Sequence, residues 1–451
     1  MTLLSNKAVW AVALGVLTVC SGSCDDLLFG RYQEPRSGYC SAASPSCPDG
    51  QFCNVVNSQC EQGACSEQDR VGCAEPSVAR CVQSRCLPCQ SNADCDSWTT
   101  NYGMGTAKEI CDQGSCRPCA ANAECSSGLC RTADSAFAAD EKGVGGCVAA
   151  AEITYVNNAK SPVSCAERNG SREAPFCEIA DALSNGRSVL LVMGSGSMYA
   201  PFSVSQGSIT VVGPGRDLSP SARIAGVFLT GSAHLLMRDL WLTPPSGLNA
   251  AQCEGTELVL RRVNIQSADP NQRGQRGVAA KGCNQLVLEE SMVDGMNGSG
   301  ITVESGAYRI INNVITRSGN AEEPYGVSLG NLTSGAFLFN TVVANGRGVF
   351  CASQNALSAS VVSDNLGRLD EQVQGNCTSS DVANRVYDLS ATDKALVTPD
   401  RLKLQRSLAL HQQCCIDRIG LGASPLSVTH DYFGRTRPKG IAADIGFHES
   451  D

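Results

Sequence analysis

Five residues in the second half of the chain are placed to do chemistry: Asp239, Arg262, Glu289, Glu290 and Asp294. Carboxylates drawn together can hold a hard cation such as Ca²⁺, or divide the acid and base roles of glycoside hydrolysis. Three of the five fall in a longer series, Asp239, Arg262, Glu290, Asn313, Asn340 and Ser360, at intervals of 23, 28, 23, 27 and 20 residues. Such intervals would set residues distant in sequence one above another, provided that the chain between them closes a full coil. The same column has a plainer reading, as a solvated or hydrogen-bonded edge with Arg262 and Glu290 as a surface ion pair.

The segments between these positions are themselves repeated. A glycine-led apolar tetrad precedes a longer β-type strand in GVFLTGSAHLLMRDLWL from Gly226, GVAAKGCNQLVLEESMV from Gly277, GITVESGAYRIINNVI from Gly300, GVSLGNLTSGAFLFNTVV from Gly326 and GVFCASQNALSASVV from Gly348. A degenerate copy starts at Leu248. Aliphatic alternation without helical periodicity, at this period, identifies an all-β solenoid: a right-handed parallel β-helix. The five tetrad glycines are expected at turns that need positive φ. Cys253 and Cys283 fall at nearly the same phase of neighbouring coils, close enough for a rung-to-rung disulfide.

The formal net charge of −9 excludes the basic footprint that nucleic acid or an acidic membrane surface would need. Neither a phosphate-cradling glycine loop nor a nucleophile elbow occurs, and four histidines offer no metal-ligand pattern. Residues 1–23 carry Lys7, an apolar run from Ala8 to Val19 and a small-residue stretch before Cys24, the layout of an export signal too short to span a bilayer. Residues 24–39 read as a linker.

Sixteen cysteines lie between Cys40 and Cys147, and this 40–147 block reads as a disulfide scaffold in an oxidising compartment. Within it Cys81-x4-Cys86-x2-Cys89-x5-Cys95 recurs as Cys111-x4-Cys116-x2-Cys119-x5-Cys125, with Pro88 and Pro118 before the third cysteine. The Cys-x2-Cys pairs also fit zinc by spacing, but disulfides are the simpler account in an exported chain.

Four stretches resemble known families. The leader is similar to a bacterial lipoprotein signal, which implies lipidation of Cys24; this removes Cys20 with the signal and leaves an even 24 cysteines. The cysteine block resembles the cysteine-rich repeats of myxobacterial surface proteins. Pro175, Phe176, Ile179, Ala182 and Leu183 resemble the opening of bacterial pectate-lyase-like β-helix proteins, implying a helix cap over 175–184 at the head of a domain spanning 152–451. Cys165 and Cys177 are expected to tie its loop. The tail, HDYFGRTRPKGIAADIGFHE, resembles the terminus of the same proteins through Asp431, Gly434, Arg437, Pro438, Gly440, Asp444, Ile445, Gly446 and Glu449, implying a structural closing segment over 430–449. Cys414 and Cys415 are adjacent, and are expected to pair with Cys351 and Cys377.

The resemblance implies two functional classes. The first is a surface-anchored, non-catalytic binding or adhesion protein, lipid-anchored at the cell surface or outer membrane or else secreted, whose β-helix contacts polysaccharide or a surface protein. The second is a polysaccharide lyase or glycoside hydrolase, with Asp239, Arg262, Glu290 and Asp294 as its candidates and Ca²⁺ as cofactor only in the lyase case. A structural envelope or matrix protein is the third expectation.

Overall fold

In the computed structural model the chain is described over residues 47 to 387, with interruptions of which the longest are 68–71, 103–106, 132–144, 160–167, 364–372 and 380–384. Cys24, Cys165, Ser360, Cys414, Cys415 and the closing motif Asp431, Gly434, Arg437, Pro438, Asp444, Gly446 and Glu449 lie outside the described residues. The chain divides into two compact units, one holding most of the cysteine block and the other made of Ala121–Leu129 with Cys147 onward.

In the first unit short hairpins are held by interleaved disulfides. Cys81 and Cys86 face each other across the hairpin Arg80–Val82/Arg85–Leu87, yet bond backwards to Cys65 and Cys73. The hairpin Ile110–Asp112/Ser115–Arg117 repeats the plan, Cys111 bonding Cys89 and Cys116 bonding Cys95. The sequence repeat therefore joins the closing pair of one module to the opening pair of the next. Cys86 and Cys89, the zinc-like pair, sit in different disulfides, which removes the thiolates zinc needs. The repeated prolines have a packing reason. A Cβ on Gly114 (φ +83°) would lie 2.9 Å from Pro88, and one on Gly145 (φ +94°) would meet Pro118.

The second unit is a parallel β-solenoid of one 11-stranded and one nine-stranded sheet. The coil from Val227 shows the plan. A strand, Val227–Arg238, bends at Gly231 (φ +69°) into two faces, here A (Val227–Thr230) and B (Ser232–Arg238). Asp239 (φ +60°) then turns the chain onto face C, Trp241–Leu242. Alternation puts Val227, Leu229, Ala233, Leu235, Met237, Leu240 and Leu242 inward, all at 1% exposure or less. The next coils stack in parallel register, Met237 on Leu260, Leu288, Ile310 and Phe337.

The tetrad glycines do not have the predicted positive φ. Gly226, Gly277, Gly300 and Gly326 all lack it, and Gly348 lies within strand Arg347–Ser358. Their requirement is space: a Cβ on Gly300 would stand 2.8 Å from both Gly326 O and Ile315 Cγ2. Positive φ belongs instead to the A–B corner, at Gly231, Gly255, Gly282 and Gly306.

The N-terminal end is closed. Loop residues Gly170 and Phe176 hydrogen-bond the outer edge of strand Ile153–Val156, Tyr155 N donating to Gly170 O at 2.9 Å and Phe176 N to Tyr155 O at 2.9 Å. The helix Ile179–Leu183 plugs the core below with Ile179 and Ala182, and Leu183 packs beside them. Satisfying the edge backbone removes a template for strand addition.

Cys253 and Cys283 form the rung-to-rung bridge, fully buried, with Cα atoms 5.8 Å apart. Cys351 bonds Cys377 on the adjacent strand, Cα atoms 5.1 Å apart, so neither is left for Cys414 or Cys415. Stacking of adjacent rungs within the ~4.4–6.8 Å disulfide window explains the correction. Cys177 is disulfide-bonded.

Candidate functional site

The turn between faces B and C carries the charged column. Each coil needs one αL residue there, and Asp239, Arg262, Glu290, Asn312 and Phe339 supply it, with φ between +50° and +60°. The column expected from sequence slips at this point, because Asn313 and Asn340 occupy the next position and point inward. The turn leaves that position's N–H without a sheet carbonyl, and the coil above provides an acceptor. Val263 N donates to Ser291 Oγ (3.1 Å), Ser291 N to Asn313 Oδ1 (2.9 Å), and Asn313 N to Asn340 Oδ1 (3.0 Å). The amide groups then donate to Leu288 O and Ile310 O. This buried ladder is what positions the charged residues outside it.

On the outside, Arg262 reaches Asp239 with two bonds of 2.7 and 3.1 Å, and Glu290 stands 3.8 Å away on its other side. Glu289 is shared by Arg261 at 3.0 Å and by Arg309. Arg238, 1% exposed, lies 3.8 Å from Asp239. Burial pulls the Arg262 guanidinium below its usual value while Glu290 opposes the shift, and Arg238 behaves likewise against Asp239. Every carboxylate of the group thus has an arginine against it.

Asp294 is not part of this group. It ends the face C strand Met292–Asp294, is 2% exposed, and takes a two-pronged bond from Arg317, 2.6 Å from Nε to Oδ1. The arrangement that a lyase would need, with Asp239, Glu290 and Asp294 converging beside Arg262, does not form. Among the described residues, the groups of three or more ligand-type side chains drawn together consist of cysteines. A further arginine–carboxylate pair that sequence reasoning missed, Arg276 with Glu323, tethers the loop before Pro324. Hydrogen bonding from Arg276 holds Glu323 below the usual carboxylate range. His234 faces Glu257 at 2.8 Å on the surface.

The two long faces differ in what they present. Outward positions of face B are charged or apolar: Glu257, Arg261, Glu289 and Arg309 stand there, while Leu236, Val287, Ile311 and Leu338 are 8, 5, 2 and 5% exposed. Outward positions of face A are open. One column there, in register, is Ser203, Phe228, Gln252, Ala279, Thr302, Ser328, Phe350 and Gln374, of which Ala279 alone is buried. At its far end Tyr325 stacks on Phe350, ring centroids 5.1 Å apart, and donates to Gln374 Oε1 at 2.6 Å. The signal for this column was in the repeat: it is the third letter of GVF, GVA, GIT, GVS and GVF.

Fold and disulfides together define a chain in which a disulfide-rich segment precedes a parallel β-solenoid. No protein-family model, curated protein or solved structure matches it.

Proposed function

We propose that the protein is a non-catalytic binding or adhesion protein of the cell exterior, in which face A of the solenoid contacts a polysaccharide or a surface partner. The observation that carries this reading is the open, uncharged column of face A, set beside a charged column whose carboxylates are already held by arginines. A solenoid face sets its outward side chains at a regular spacing from rung to rung, which suits a repetitive polymer. The nine described disulfides fit an oxidising, extracellular setting. Attachment through a lipid on Cys24 completes the proposal, on the strength of the leader pattern.

The lyase or hydrolase alternative needs a carboxylate free to bind Ca²⁺ or to transfer a proton, and Asp239, Glu290 and Asp294 are committed to ion pairs. Co-sedimentation of purified protein with insoluble polysaccharides and with surface fractions tests the proposal. Retention of intact polymer supports it; release of shortened or unsaturated product sinks it.

A further inference from the structure

The chemistry of face A narrows the class of polymer. Seven steps of the ~4.8 Å strand spacing make the column from Ser203 to Gln374 roughly 34 Å long, and no charged side chain stands in it. The next outward position on the strands carries Glu254, Lys281 and Glu304, all exposed, so one lysine is flanked by two carboxylates. Of the cations at the start of the face A strands, Arg276 is held by Glu323 and Arg347 lies over the Tyr325 ring at 5.7 Å, at one end. A uronic-acid chain presents a carboxylate at ring after ring and would require cations along the strip. None are provided.

What the strip does provide is hydroxyls (Ser203, Thr302, Ser328), oriented amides and ring faces. The Gln252 carbonyl is fixed by Asn249 Nδ2 at 3.2 Å and the Gln374 carbonyl by Tyr325 Oη at 2.6 Å, which leaves each amide nitrogen pointing a known way from a half-exposed site. Phe228 and the Tyr325–Phe350 stack place aromatic platforms toward the two ends, half-exposed, with apolar bodies and, for Tyr325, a polar tip.

We propose that this strip binds a neutral, hydroxyl-rich polysaccharide, with Phe228 and Tyr325–Phe350 as stacking platforms and Gln252, Thr302, Ser328 and Gln374 as hydrogen-bonding partners. The inference rests on the polymer-binding reading above. It excludes pectate-like and other uronate chains as the preferred ligand.

Affinity electrophoresis of the full chain through gels containing β-glucan, xylan, galactan or polygalacturonate tests it. Retardation in a neutral gel is expected, weakened about tenfold by Phe350→Ala and to a similar extent by Phe228→Ala, with Lys281→Gln without effect. Since Phe228 lies many coils from Phe350, loss of fold in one variant leaves the other informative. Retardation by polygalacturonate alone, abolished by Lys281→Gln or Arg347→Gln, would overturn the neutral-polymer inference and leave the wider binding proposal standing. Absence of retardation in every gel would overturn the inference and, with it, the polysaccharide half of the wider proposal, leaving a surface partner as its remaining form.

Discussion

Replacing Asn313 by alanine strikes the side chain that ties three coils together. Its Oδ1 accepts Ser291 N, its Nδ2 donates to Leu288 O and Asn340 Oδ1, and it is fully buried. Alanine leaves Ser291 N–H inside without an acceptor and takes a donor away from two oxygens. One orphaned buried group costs ~1–3 kcal/mol, and the lost bonds and the small void bring the expected total to about 3 kcal/mol. Solenoids unfold by neighbouring coils rather than as one unit, so a global midpoint would blur the effect. Amide hydrogen exchange resolved to strands is the suitable assay. A local loss of about 3 kcal/mol raises exchange in Glu257–Arg261 through Tyr325–Leu338 by about two orders of magnitude, while strand Ile153–Val156 changes little. Asn313→Asp adds a sign. A carboxylate there faces two oxygens and is disfavoured, so its folded pKa rises above its unfolded value and stability falls as pH rises through that window, recovering in acid. An Asn313→Ala protein whose exchange changed less than tenfold in these strands would refute the ladder's role.

Gly300→Ala should cost ~1–3 kcal/mol by overpacking although its φ is ordinary, whereas Gly186→Ala, with φ +77° and nothing within 4 Å, should cost about 1–2 kcal/mol from backbone conformation alone; strand-resolved hydrogen exchange of both, with Gly300→Ser as a size series, separates space from φ. Under native reducing conditions, mass spectrometry after alkylation should find Cys253 and Cys283 protected, because both are fully buried; their early labelling would show that the coil opens locally. The Arg276 bond lowers the Glu323 pKa, so the pair stabilises above the unfolded carboxylate range and is lost as pH falls through the folded value; Arg276→Met should flatten the acid side of the stability–pH curve, and an unchanged curve would deny the coupling. Cys24→Ser should move the protein from the membrane to the soluble fraction, and no shift would remove the lipid anchor.

The solenoid was legible because inward positions repeat with both the strand alternation and the coil period, as in Val227, Val278, Ile301 and Val327. The cap was legible too, since Ile179 and Ala182 have helical spacing and nowhere else to bury. What sequence could not separate were two uses of glycine: Gly300 is small because a neighbouring coil touches it, Gly255 because its φ is +68° with no atom nearer than 4.0 Å, and both look alike as letters. The one-residue slip at Asn313 has a similar origin. Adjacent polar residues, Asn312 and Asn313, serve opposite sides of the wall, and alignment by polarity chose the inner one. The pairing of Cys351 with Cys377 depended on register, which spacing alone does not give. Tyr325 and Phe350 are 25 residues apart in sequence, and become a platform only when strands Tyr325–Leu338 and Arg347–Ser358 stack.

The central claim is that the solenoid holds a polymer without cutting it. The most direct measurement incubates purified protein with soluble neutral and uronic-acid polysaccharides, with and without Ca²⁺, and follows polymer size, unsaturated product and bound fraction together. The expected result is a bound fraction with the neutral polymers and polymer length unchanged under every condition. Shortened or unsaturated product that disappears with Asp239→Asn or Arg262→Met would contradict it.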